Sequence, residues 1–253
     1  MKTSSIIGII PARFKSQRLP GKPLADILGK PLIYYVWRAA SDSELLDKVL
    51  IATDDERIRD ACRDFGAECI LTPENIKSGS DRVIFALNTC KENYDYIVNI
   101  QGDEPFITGQ LIDELIKKTK ETAADVGTVI TRIKNNEEVF DESVVKVVLR
   151  SDDTALYFSR SPLPFLRDVP QAEWLDKTAF WKHIGIYCYS KTALARFGDL
   201  PQSELEKAEK LEQLRLLQDN AKYVCLQTDL NLTGVDTPTD LEKARTMMKE
   251  KLS

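Results

Sequence analysis

Ser5-Ile6-Ile7-Gly8-Ile9-Ile10-Pro11-Ala12-Arg13-Phe14-Lys15-Ser16-Gln17-Arg18-Leu19-Pro20-Gly21-Lys22-Pro23 is the stretch whose reading decides the fold. Its first six residues form a short, β-branched, almost continuously apolar run closed by Pro11, the pattern of a parallel strand buried on both faces. From Pro11 to Pro23 the chain turns basic and rich in Gly and Pro, as a loop would. Pro31 suits the first position of a helix running through Tyr35 and Trp37 to about Ala40. Lys48 to Thr53 reads as a second strand, and Asp54-Asp55 can cap the helix behind it. The unit repeats with a short strand at Cys69 to Leu71, a loop from Thr72 to Gly79 and a helix from about Ser80 to Asn93. A third strong strand, Asp95 to Gln101, closes on Gly102-Asp103-Glu104-Pro105. Strands alternating with helices predict an α/β fold, a mainly parallel sheet flanked by helices, with ligands at the carboxyl ends of the strands.

Beyond Val126 the runs are longer and strand-like: Val126 to Ile133, Val144 to Leu149, Ala155 to Ser159 and Lys182 to Tyr189, with a Pro-containing stretch from Pro162 to Pro170. These predict a mixed, β-rich extension over about 126–190 within a single 253-residue domain. Helices are expected near Leu205 to Asp219 and Asp240 to Lys251, with the loop Thr233 to Pro238 before the second.

A net charge of -5, from 35 basic and 40 acidic residues without long one-sign blocks, lacks the footprint of a nucleic-acid-binding protein. Any anionic ligand must therefore be held locally. Cys62, Cys69, Cys90, Cys188 and Cys225 are odd in number and contain no C-x-x-C pair, which argues against a disulfide framework or a zinc site. The apolar run Ile6 to Ile10 is too short for a signal segment or a membrane span, so a cytoplasmic protein is the expectation.

Arg13, Lys15, Arg18 and Lys22 fall within ten positions behind the first strand, which reads either as a triphosphate cradle or as a solvated basic loop. Walker A is excluded, because Gly21-Lys22 and Gly29-Lys30 are each followed by Pro where that motif needs a magnesium-binding hydroxyl. Asp103 and Asp236 both sit between a strand and a helix. Each can be a cap or, together, a magnesium site completed by phosphate oxygens.

Ile10 to Leu24 resembles the signature loop of the sugar-nucleotide cytidylyltransferases, in the form found in the 3-deoxy-manno-octulosonate branch of that family. Val98-Asn99-Ile100-Gln101-Gly102-Asp103-Glu104-Pro105, Ala52-Thr53-Asp54-Asp55, Ser78-Gly79-Ser80-Asp81-Arg82, Tyr157-Phe158-Ser159-Arg160, Lys182 to Tyr187, Lys210 to Arg215 and Gly234-Val235-Asp236-Thr237-Pro238 resemble further family segments in the same order, so the likeness spans Ile6 to about Leu241. Lys77, Ser80 and Asp81 stand where the family usually carries His, Thr and often Glu. The resemblance implies a Rossmann-like, nucleotide-diphospho-sugar transferase fold and transfer of CMP from CTP to 3-deoxy-D-manno-octulosonate, with pyrophosphate released, for lipopolysaccharide or capsule synthesis. It implies catalytic roles for Arg13, Lys22, Asp103 and Asp236, the two aspartates holding Mg²⁺. Nucleotide contacts are implied for Pro11, Ala12, Arg13, Arg18, Lys22, Ala52, Thr53, Asp54, Ser78, Gly79, Ser80, Arg82 and Gln101, with Arg82 as a donor to cytosine. Arg160, His183, Tyr187, Glu212 and Gln213 are implied for the sugar acid, Arg160 facing its carboxylate. A homodimer is implied as well. Alternatives are a related acid such as 8-amino-3,8-dideoxy-manno-octulosonate as substrate, or a catalytically silent nucleotide-binding protein on the same fold.

Overall fold

The structure, a computed structural model, describes residues 4–16, 18–76 and 78–252; Gln17 and Lys77 of the sequence expectations lie outside the described residues. The chain divides into two compact units, Met1–Glu114 with Asn231–Ser253, and Leu115–Leu230.

In the first unit the elements are β1 (Ile6–Ala12), β2 (Asp26–Ile27), β3 (Lys30–Pro31), α1 (Leu32–Ser41), β4 (Lys48–Thr53), α2 (Glu56–Asp64), β5 (Cys69–Leu71), α3 (Gly79–Thr89) and β6 (Tyr96–Asn99). Four of these strands run parallel in the order β6-β1-β4-β5, with Ile9 facing Leu50 on one side and Asn99 on the other. Ile7, Ile9, Ile10, Leu50, Ile51, Ile97 and Val98 have no solvent exposure, which accounts for their unbroken apolar runs. Helices α1, α2 and α3 pack against these strands. β1 runs through Pro11 to Ala12 rather than stopping at Pro11. The β6 ladder ends opposite Ile9, so the missing Pro11 N–H falls where that neighbour no longer runs. Asp55 caps α2 through the Arg57 N–H at 2.9 Å.

Helix α4 (Gly109–Glu121) leads into the second unit. There β7 (Val126–Arg132), α5 (Asn136–Phe140), β8 (Lys146–Leu149), β9 (Ala155–Ser159), α6 (Trp174–Lys177), β10 (Trp181–Ser190), α7 (Lys191–Asp199), α8 (Glu204–Glu209), α9 (Gln213–Gln218) and β11 (Tyr223–Gln227) follow in order. β7 lies between parallel β11 and antiparallel β10, and β8 pairs antiparallel with β10 and β9, the mixed pattern expected of the extension. A small core of Ile133, Val139, Val144, Trp174 and Phe180 is sealed by the stacked Trp174 and Phe180 rings. Helix α10 (Pro238–Leu252) belongs to the first unit.

The helix expected from Leu205 to Asp219 is two helices, broken at Lys210 with a left-handed φ of 55°. The physical reason is an ion pair. In a continuous helix residues nine apart stand about 13 Å apart along the axis, whereas here Arg215 Nη2 lies 2.7 Å and Arg215 Nε 2.8 Å from the Glu206 carboxylate. The break turns Arg215 back onto α8 while Leu211, Leu214 and Leu216 stay buried.

Candidate active site

In the first unit, the basic loop behind β1 folds back on itself because the Phe14 carbonyl accepts the N–H groups of Ser16 (3.0 Å) and Gly21 (3.1 Å). Gly21, with φ 69°, takes a turn conformation that a side chain would disfavour. Lys22 then enters a short 3₁₀ turn, Lys22–Leu24. Its ammonium lies 2.6 Å from Asp103 Oδ2 and 2.9 Å from Asp236 Oδ1, and Arg18 Nη2 is 2.9 Å from Asp236 Oδ2. The two aspartates, far apart in sequence, thus face one cation. The chain is closed there by the Val235 N–H donating to the Asp103 carbonyl at 2.9 Å. Gly102 permits the approach, since a Cβ would sit 2.9 Å from the Pro11 carbonyl oxygen. Asp240 fixes the Asp236 turn by accepting from the N–H groups of Asp236 and Thr237 and from the Thr237 hydroxyl. Burial works to lower the Lys22 pKa, but the Asp103 and Asp236 carboxylates outweigh it and push it up, so the ammonium stays charged. Arg13, Phe14, Lys15, Ser16, Arg18, Lys22 and Asp236 line a cavity of about 710 Å³.

No cluster of three or more His, Cys, Asp or Glu able to hold a metal occurs among the described residues. Two carboxylates directed at one cation are nevertheless the protein's usual share of a magnesium site whose remaining ligands are phosphate and water. The Lys22 ammonium stands in for such a cation, and the donor set fits.

The ends of β1 and β4 and the start of α3 bring together Pro11, Ala12, Ala52, Thr53, Asp54, Ser78, Gly79, Ser80 and Arg82. Pro11 pairs with Ala52, Ala12 pairs with Thr53, and Gly79 packs beside the Pro11 ring. Ser78 caps α3 by accepting the Asp81 N–H at 3.0 Å, and Ser80 is buried. Arg82 is only 3% exposed. It donates to Asp54 Oδ2 at 3.1 Å and to the Thr72 hydroxyl, while Asp54 Oδ1 accepts the Phe14 N–H at 3.2 Å. Burial lowers the Arg82 pKa against the opposing pull of Asp54. Gln101 is partly exposed, its carbonyl accepting the Glu104 N–H. Sequence reasoning missed Arg57, whose guanidinium lies 3.5 Å from the centre of the Phe14 ring while forked onto Asp55. It also missed Thr72 and Asp240, whose roles depend on closure of the chain.

The second unit holds the residues implied for the sugar acid. His183 Nε2 is 2.8 Å from the Thr128 hydroxyl, which also lies 2.8 Å from the Ile186 carbonyl. One hydroxyl proton serves that carbonyl, so the hydroxyl accepts from His183 Nε2–H and leaves Nδ1 as an acceptor. Burial between Phe158 and Tyr187 pushes the His183 pKa down to about 3, so the ring is neutral. The Tyr187 hydroxyl donates to Gln213 Oε1 at 3.3 Å, and Glu212 stands partly exposed at the start of α9. Arg160 donates from Nε to the Glu209 carbonyl (2.8 Å) and from Nη1 to the Glu142 carbonyl (2.9 Å). The fully buried Lys146 supports its backbone, donating to the Arg160 carbonyl at 2.5 Å and to those of Val144 and Asp141. Lys146 was invisible as a site residue, since it sits in an ordinary strand run.

A basic loop behind a parallel strand, with two carboxylates converging on its lysine, matches a known class. Residues 7–223 match the family model described as Cytidylyltransferase, and the chain belongs to that family. Within it, a 3-deoxy-manno-octulosonate cytidylyltransferase of Parabacteroides distasonis is 43% identical, over 94% of this chain and 96% of that protein. One of Geobacter sulfurreducens is 42% identical, over 97% and 100%. The solved structure of a CMP:2-keto-3-deoxy-manno-octonic acid synthetase complexed with CTP superposes with a TM-score of 0.90 at 38% identity, covering 98% of this chain and all of that one.

Proposed function

We propose that this protein is a 3-deoxy-manno-octulosonate cytidylyltransferase, converting CTP and the sugar acid to the CMP-sugar and pyrophosphate. The observation that carries the reading is the convergence of Lys22, Asp103 and Asp236 beside the basic cavity, in a chain that matches such enzymes over 94% of its length. The sugar's 2-hydroxyl forms the new bond to the α-phosphorus, the bond from that phosphorus to the bridging oxygen breaks, and pyrophosphate leaves with the electron pair. The hydroxyl proton passes to solvent. Arg13, Arg18 and Lys22 bind and neutralise the triphosphate, and the loop fold at Phe14 holds them in place, so positioning and electrostatics supply most of the acceleration. Asp103 and Asp236 would hold Mg²⁺, which supplies charge neutralisation on the phosphates when bound. In the second unit, neutral His183 and the Tyr187–Gln213 pair offer acceptors and donors to a polyhydroxy acid. The same reading takes the protein as a cytoplasmic homodimer; exposed Leu156 and Phe165 in the second unit support an interface there. No helix among the described residues is long and apolar enough to cross a membrane.

The test is pyrophosphate release from CTP, Mg²⁺ and the octulosonate. Asp103→Asn and Asp236→Asn are each expected to lower turnover at least about 100-fold, the scale of losing a charge-stabilising group in an active site. Unchanged turnover in both variants removes the metal assignment, and an inactive wild type that accepts the 8-amino acid moves the substrate.

A further inference from the structure

We infer that Arg82 and Asp54 form a positioning pair that sets the shape of the triphosphate loop, and that Arg82 does not read the base. The inference rests on the proposed reaction and assigns Arg82 a role different from the cytosine donor that the family resemblance implies.

The geometry is a chain of contacts. Arg82, 3% exposed on the first turns of α3, has one guanidinium nitrogen on Asp54 Oδ2 and another on the Thr72 hydroxyl. Thr72 is itself fixed, donating through both its N–H (2.7 Å) and its hydroxyl (3.1 Å) to the Thr53 carbonyl. The other Asp54 oxygen accepts the Phe14 N–H at 3.2 Å. Phe14 is the residue on which the loop is organised: its carbonyl gathers Ser16 and Gly21, and its ring lies under Arg57. One carboxylate therefore ties the loop behind β1 to the end of β4 and, through Arg82, to α3.

Swinging Arg82 out to a ligand would break a buried ion pair and leave Asp54 unneutralised, which is strongly unfavourable, and where it stands, 3% exposed, its remaining N–H groups present almost no surface to a base. The pair answers a need of the loop instead. Lys15 is drawn to Glu74, and Arg18 and Lys22 to Asp236, and a fixed anchor at Phe14 holds the turn that carries them ready for a triphosphate without that ordering being repeated at each binding event.

The experiment compares Arg82→Gln, Arg82→Lys and Asp54→Asn with wild type, by calorimetric affinity for CTP, UTP and inorganic tripolyphosphate in Mg²⁺, and by hydrogen exchange of the peptide containing the Phe14 amide. Tripolyphosphate has no base. Positioning predicts that Arg82→Gln weakens tripolyphosphate and CTP by the same factor, about 10- to 100-fold, leaves CTP-over-UTP preference unchanged and speeds exchange at Phe14. Asp54→Asn, close in shape and still able to accept the Phe14 N–H, is expected to show the same pattern more weakly, which covers the case of Arg82→Gln failing to fold. Arg82→Lys, which keeps the charge but cannot fork to Asp54 and Thr72 together, should fall between. Tripolyphosphate affinity unchanged in the variants while CTP affinity falls, or a relaxed CTP-over-UTP preference, overturns the inference. The tripolyphosphate comparison decides the matter whichever sugar acid is used, so a failure of the proposed reaction shows separately as wild type that releases no pyrophosphate.

Discussion

Replacing Lys22 by Met removes the ammonium that holds Asp103 and Asp236 together while keeping an apolar stem of similar length. In the structure this cation sits 2.6 and 2.9 Å from the two carboxylates, with side-chain exposures of 15% for Lys22, 26% for Asp103 and 44% for Asp236. Breaking a fully buried pair costs ~3–5 kcal/mol and an exposed one ~0–1. The half-open Asp236 end discounts the value toward the lower figure, and we expect ~1–2 kcal/mol, or about 5- to 30-fold in an equilibrium constant. That energy is what a divalent cation must overcome to displace Lys22 from the same oxygens. Nucleotide-free Lys22→Met should therefore bind Mn²⁺ about 5- to 30-fold more tightly than wild type, measured by electron paramagnetic resonance titration of free Mn²⁺. Turnover moves the other way, down about 100-fold or more, because the phosphates lose a stabilising cation. Mn²⁺ affinity that is unchanged or weaker in the variant would refute the reasoning, since it would mean that the ammonium and the metal do not compete for one site.

Two further outcomes follow from groups outside that triad. Glu206→Gln breaks the buried pair with Arg215, whose side chains are 4% and 9% exposed, and should cost ~3–5 kcal/mol by urea denaturation; a loss under about 1 kcal/mol would place that pair among those of surface value. His183, neutral in the fold with its pKa pushed from 6.5 down to about 3, takes its proton more readily in the unfolded chain. Its stabilising effect is thus complete above 6.5 and is lost progressively as pH falls from there toward about 3. The melting temperature of wild type should consequently fall more steeply than that of His183→Gln between neutral pH and mildly acid pH, and parallel curves would show that the ring titrates normally.

Much of the framework was legible because burial writes itself into periodicity. β4, β5 and β9 match the expected Lys48 to Thr53, Cys69 to Leu71 and Ala155 to Ser159, each a run ended by a polar or turn-forming residue. Helix α4 is absent from the sequence expectations although Leu111, Ile112, Leu115 and Ile116 stand at helical spacing and are buried. β11 is likewise absent, being a five-residue run whose partner β7 lies far away in sequence. The two-residue strands β2 and β3 are too short to carry any period at all.

Pairings between loops were not legible in the same way, because they depend on which strand ends meet. The residues around Asp103 and Asp236 could be picked out one segment at a time, yet nothing local says that Lys22 lies between them. Arg82 shows the limit most clearly. The family resemblance of Ser78 to Arg82 implies a donor to the base, and nothing local names another partner for the guanidinium. Its partners, Asp54 and Thr72, sit on segments that the sequence keeps apart and the parallel sheet sets side by side, β4 pairing with β5 just before both. The topology that made the fold readable therefore also made this side chain's role unreadable. Each parallel crossover separates in sequence the very strand ends it joins in space, and the charges that meet there are chosen by the closed structure.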